Sequence, residues 1–129
     1  MGDRPLNGVR VLVVEDEYLL ADDLSFALSE IGAQVIGPVP SVQDATAIIE
    51  GELTIDIAVL DVNLRGDMVF PVADALIERG IPFAFATGYD RWTLPARFAD
   101  APWIEKPCTS EQITATLGPL VTRETTGSR

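Results

Sequence analysis

Short apolar runs alternate five times with stretches of helical periodicity, the pattern of a parallel sheet whose strands are joined by helical crossovers. Strands apolar on both faces must be covered on both faces, so helices have to pack above and below them. The expected class is α/β: a three-layer α/β/α sandwich around a five-stranded parallel sheet with right-handed connections. Strands are read at 9–14, 33–37, 56–60, 82–86 and 102–104. The last two are too apolar for a wet surface.

Helical periodicity covers 17–31, where Leu20, Leu24, Ala27, Leu28 and Ile31 share one face, and Gly32 ends it. Pro38 and Pro40 break the chain before Ser41 caps a short helix at 42–50. After the loop 61–67, a helix at 69–79 tolerates Pro71 only in its first turn and stops at Gly80. A final helix starts after Thr109 or Ser110, with Glu111 and Gln112 suiting its N-terminus, and ends near Leu117 or Val121. Between Tyr89 and Asp100 there is room for a turn or two at most, because Pro95 interrupts the segment. The fourth helix of the alternation is therefore expected to be short or replaced by a loop, leaving Trp92, Leu94 and Phe98 exposed to partners.

A chain of 129 residues suits one domain, read as 1–121 with a short N-terminal extension at 1–8 and a flexible tail at 122–129. With no linker or repeat visible, no output domain is expected, and the signal or chemistry must be the module's own. Twenty acids against nine bases give a net charge of -11, which repels both nucleic acid phosphates and anionic lipid heads. Nucleic acid and membrane are thus not expected partners. The single cysteine, Cys108, forms no internal disulfide, and no signal-like or spanning segment is present, so a cytoplasmic location is expected.

The chain has no histidine, which removes the commonest general base and metal ligand. Carboxylates, hydroxyls and lysine are left to carry any chemistry. They gather where the strands end: Glu15-Asp16-Glu17 after the first, Asp61 after the third, Thr87-Gly88-Tyr89 after the fourth, and Lys106-Pro107 after the fifth. In an open parallel sheet that edge is where ligands bind. Each residue has a bland reading: acids at a helix N-terminus, a turn-forming aspartate, a strand-end hydroxyl, a surface cation. The combination is much more specific, and converging acids require neutralisation by a divalent cation and Lys106.

The order of these landmarks resembles the receiver domain of bacterial response regulators, a flavodoxin-like fold, over about residues 9–120. The resemblance implies that Asp61 accepts a phosphoryl group from a sensor histidine kinase. It also implies that Thr87 and Lys106 act with Asp61, and that Glu15, Asp16, Asp61 and the Asn63 carbonyl serve a Mg²⁺ ion, Glu15 through water. Glu15 stands where aspartate is commonest, and its extra methylene leaves direct contact open as well. Such a domain is not an enzyme in the ordinary sense, although it assists its own phosphorylation and dephosphorylation. Phe85-Ala86-Thr87-Gly88-Tyr89 is similar to the signature of the FAT GUY subfamily, which implies a degraded fourth helix and a kinase of the HWE or a related type. Thr87, Gly88, Tyr89, Trp103 and Pro107 are the expected switch, with either Trp103 or Tyr89 as its aromatic. Another regulator or kinase is the expected output target.

Three other readings compete. A nucleotide binder of the same architecture needs a glycine- and hydroxyl-rich loop where Glu15-Asp16-Glu17 stands. A haloacid-dehalogenase-type phosphatase needs an acid two residues past its nucleophile, where this chain has Asn63. A degenerate receiver would serve only as a phosphorylation-independent interaction module.

Overall fold

β1 (Arg10–Val14), β3 (Ile57–Asp61) and the strand that follows the third helix form the centre of the molecule because their residues are apolar in succession. Every residue of β3 is buried. The computed structural model describes residues 5–51, 53–64, 66–88, 94–106 and 108–127, with side chains described as far as 121. In chain order, β1 is followed by α1 (Tyr18–Glu30), β2 (Gln34–Val39), α2 (Val42–Glu50) and β3. Then come the two short strands β4 (Asn63–Leu64) and β5 (Asp67–Met68), α3 (Phe70–Glu78), β6 (Phe83–Thr87), β7 (Trp103–Glu105) and α4 (Ser110–Gly127).

The main sheet has the order β2-β1-β3-β6-β7, and all four pairings are parallel. It is the five-stranded parallel α/β/α architecture anticipated from the alternation. The connection from β1 runs to one side and that from β2 crosses back to the other, so the order in which strands are added reverses between β1 and β3. A crevice at the C-terminal ends of the strands is the geometric result. One face of the sheet packs Leu24 and Leu28 of α1 with Ile113 and Leu117 of α4. The other packs Ala45 and Ile49 of α2 with Val72, Ala73 and Leu76 of α3.

Local signals work largely as anticipated. The Ser41 hydroxyl accepts from the Asp44 amide at 3.1 Å, and Pro71 sits in the first turn of α3. At the start of α4, the Thr109 hydroxyl accepts from the Gln112 amide while the Gln112 carbonyl oxygen accepts from the Thr109 amide, a reciprocal capping box. Gly32 and Gly80 adopt positive φ at the ends of α1 and α3.

Four expectations need correction. Pro38 does not end β2, which continues to Val39; as an edge strand with an irregularity in its pairing to β1, it can spare an amide. The loop after Asp61 contains the small antiparallel hairpin β4–β5, fastened by the Gly66 amide donating to the Asn63 side-chain oxygen at 2.8 Å. β7 is the other edge of the sheet, where Trp103 is half-buried and Glu105 exposed. α4 runs on through Pro119 to Gly127, because Leu117, Leu120 and Val121 keep contact with the core on both sides of the proline.

The most instructive difference concerns Phe98, in the segment between β6 and β7. Among the described residues between β6 and β7 there is only the 3-10 turn Ala96–Phe98. Phe98, expected to face partners, is buried at 2 % exposure, and Leu94 is half-buried against the same core. Phe98 stacks on Phe70 at a centroid distance of 5.4 Å and meets Phe85 and Phe83 edge-on at 5.5 and 6.3 Å. These rings cover sheet that a helix would otherwise cover, and hydrophobic burial overrides the polar appearance of the segment. Trp92 lies outside the described residues.

Removing that plug should be costly. Phe98→Ala is expected to destabilise the domain by about 3 kcal/mol, from lost burial and the cavity left among the rings. The check is the midpoint of urea unfolding followed by circular dichroism, with an unchanged denaturant slope.

Candidate functional site

Strand register decides which side chains meet. Val14 pairs with Leu60, Asp61 with Ala86, and Thr87 with Glu105, so four strand ends finish at a common level. The Lys106 amide donates to the Thr87 carbonyl at 2.9 Å and pins the lysine beside the threonine. The Glu15 amide donates to the Val39 carbonyl at 3.0 Å, which holds the turn into α1 against β2.

At this edge lies an open cleft of about 460 Å³. Asp16, Asp61, Asn63, Thr87, Gly88 and Lys106 are among the residues lining it. Asp61 and Thr87 are buried at 8 % and 3 % exposure, and Asp16 is half-buried. The structure therefore brings together Glu15, Asp16, Asp61, Thr87 and Lys106, with Asn63 and Gly88 at the cleft wall. Trp103 is placed three residues before Lys106 and packs on the α2–α3 side of the sheet. Tyr89 and Pro107 lie outside the described residues.

The centre of the site is an ion cluster. Lys106 Nζ lies 2.8 Å from Asp61 Oδ1 and 2.9 Å from Glu15 Oε1. The Glu17 amide donates to Glu15 Oε2 at 3.1 Å, so both oxygens of that carboxylate have donors. Carboxylate oxygens of Glu15, Asp16 and Asp61 all lie within 4.8 Å of one another. Three acids with one ammonium are an unbalanced set, and an all-oxygen donor group of this kind fits a hard divalent cation.

The imbalance shows in protonation. Burial pushes Asp61 up to about 7, the nearby Glu15 carboxylate adds to this, and Lys106 only partly opposes it. For Lys106, burial works against the charge, but hydrogen bonds to Asp61 and Glu15 outweigh it and the net shift is upward. The lysine is thus firmly an ammonium, while Asp61 shares its counter-charge with a competitor. Burial raises the Cys108 thiol to about 11, so it is an inert neighbour.

Comparison with known proteins agrees with this picture. No family model matches the chain. It is similar to the sensory transduction protein LytT of Bacillus cereus, 37% identical over 113 residues that cover 84% of this chain and 46% of that one. The chain therefore spans about half the length of the curated relatives it matches. Among solved structures, SdrG from Sphingomonas melonis Fr1 is 41% identical with a TM-score of 0.79, covering 88% of this chain and 97% of that one. A response regulator receiver protein from Sinorhizobium medicae WSM419 is 25% identical with a TM-score of 0.73, covering 91% and 97%.

The raised Asp61 has a consequence for stability. An acid whose pKa rises from 3.8 in the unfolded chain to about 7 in the fold opposes folding increasingly as pH climbs through that window. Asp61→Asn should therefore stabilise the metal-free protein by about 1–2 kcal/mol at pH 8, after allowing for solvent screening at the cleft. The gain should fade towards pH 4, where Asp61 is protonated in the fold. Urea unfolding in EDTA across that range measures it.

Proposed function

The chain belongs to the receiver domains of response regulators, the signal-transduction partners of sensor histidine kinases in two-component systems, and on that premise we propose that Asp61 is its phosphoryl-accepting residue. The observation that carries this reading is the placement of Asp61. A buried carboxylate ends the central strand in an open cleft, with the Lys106 ammonium 2.8 Å away and Thr87 at the end of the adjoining strand.

Each role follows from charge and position. Asp61 attacks the phosphorus of a phosphohistidine donor; the donor's N–P bond breaks as the carboxylate O–P bond forms, leaving an acyl phosphate. Lys106 orients the carboxylate through Oδ1 beforehand and then turns its positive charge to the transferred oxygens. The Thr87 hydroxyl takes a further phosphoryl oxygen. Asp16, Asp61 and the backbone carbonyl of Asn63 would hold Mg²⁺, whose charge would neutralise the transferring oxygens. The domain assists its own phosphorylation and hydrolysis by water but turns over no separate substrate.

Phosphorylation replaces the single carboxylate charge of Asp61 with a bulkier phosphoryl group carrying about -1.5 to -2, in a cleft already rich in acids, so the neighbouring segment must respond. Thr87 is drawn inward and moves the chain from Gly88 onwards, with Tyr89, Trp103 and Pro107 as the remaining switch positions. The motif from Phe85 to Tyr89, and the 3-10 turn Ala96–Phe98 found among the described residues between β6 and β7, support membership of the FAT GUY subfamily and a kinase of the HWE or a related type. The output is a changed protein-binding surface that another regulator or kinase reads.

Incubation with acetyl phosphate and Mg²⁺ should place one hydroxylamine-labile phosphate on the protein, read by mass spectrometry. Asp61→Asn should accept none, and Lys106→Ala should be slowed about a hundredfold. Thr87→Ala should still be labelled, while losing most of the amide shifts that a beryllofluoride mimic induces beyond Gly88. Equal labelling of Asp61→Asn would remove Asp61 from the mechanism. Phosphotransfer profiling against purified histidine kinases tests the choice of donor.

A further inference from the structure

Glu15 is the member of the acid cluster that differs most from its neighbours. Its side chain is 2% exposed, compared with 10% for Asp61 and 15% for Lys106. It is absent from the lining of the cleft into which Asp16, Asp61, Asn63 and Thr87 open. Behind the cleft it shares, with Lys106, a wall made by Leu20, Asp23, Leu24, Ala86 and Cys108. The free space there is about 10 Å³, at the lower limit for a single water.

Both oxygens of Glu15 are already engaged, Oε1 by the Lys106 ammonium at 2.9 Å and Oε2 by the Glu17 amide at 3.1 Å. Only a carboxylate can accept from both donors, since an amide would turn an NH₂ towards one of them. Lys106 itself is a long, flexible side chain that loses rotamer freedom when its head is fixed. A lysine held at two points keeps its Nζ at the Asp61 oxygen, whereas one held by Asp61 alone would have to be repositioned once that oxygen enters reaction.

We propose that Glu15 is a positioning residue that anchors Lys106 from behind the cleft, and that metal contact falls to Asp16 and Asp61. This rests on the phosphoacceptor role of Asp61. It assigns the glutamate's extra methylene a purpose: one more bond, about 1.5 Å, carries the carboxylate back to the lysine.

Two measurements test it. The first is independent of any phosphoryl transfer: the ¹⁵N ammonium signal of Lys106 in the metal-free protein. Slow proton exchange should make it visible in the native chain, and Glu15→Gln should abolish it. The second is the rate of labelling by acetyl phosphate as a function of Mg²⁺ concentration. In Glu15→Asp, which keeps the charge but withdraws it, the rate at saturating Mg²⁺ should fall about tenfold because the lysine is misplaced. Its half-saturating Mg²⁺ should stay within about threefold of the native value, since the metal-holding acids and the net charge are unchanged. An undisturbed ammonium signal in Glu15→Gln would overturn the proposal. So would a Glu15→Asp variant with a native maximal rate and about tenfold weaker Mg²⁺ dependence, the pattern of a lost ligand. If the native chain takes no phosphate while the ammonium signal still depends on Glu15, the phosphoacceptor role fails and the anchor stands.

Discussion

The Lys106 ammonium, set between the carboxylates of Asp61 and Glu15 at 2.8 and 2.9 Å, is the interaction on which the cleft depends. Three acids within 4.8 Å of one another, two of them buried, would repel one another and lose hydration. One cation cannot neutralise them all; burial chiefly, and the Glu15 charge beside it, raise the pKa of Asp61 against the pull of Lys106. A site left in this condition has an unmet demand for positive charge, which makes it receptive to a divalent cation and able to register a phosphoryl group as a large electrostatic event.

That cluster exists only because of the sheet's topology. The reversal between β1 and β3 opens the crevice, and parallel register brings Asp61, Thr87 and the residue before Lys106 to one level. The amide of Lys106 bonded to the Thr87 carbonyl couples the two residues through backbone as well as through their shared cleft. Any movement of the β6 end is thereby felt at the lysine. On the neighbouring face Phe70, Phe83, Phe85 and Phe98 pack together, and the 3-10 turn Ala96–Phe98 carries the last of them into the group.

Much of this was legible in the residues. Continuous apolar runs announced buried parallel strands, glycines at 32 and 80 announced helix ends, and polar residues at successive strand ends announced a shared edge. Failures came where tertiary context outweighed local signals. Pro38 looked like a break but lies on an edge strand, Pro119 gave no sign that α4 would pass it, and Phe98 looked exposed because nothing in its immediate sequence shows the rings waiting for it. Glu15 was legible as an acid of the cluster, whereas its direction, towards Lys106 and away from the cleft mouth, was not.

By itself the sequence determined the class of fold, the edge at which polar chemistry gathers, and the residue types available there without histidine. Those properties follow from periodicity and composition, which are local. Only the tertiary structure decided which carboxylate faces solvent and which is committed to the lysine, and which aromatic is core. Those outcomes depend on strand register and on packing between residues tens of positions apart, such as Asp61 with Lys106, and no local pattern encodes a distance across the sheet.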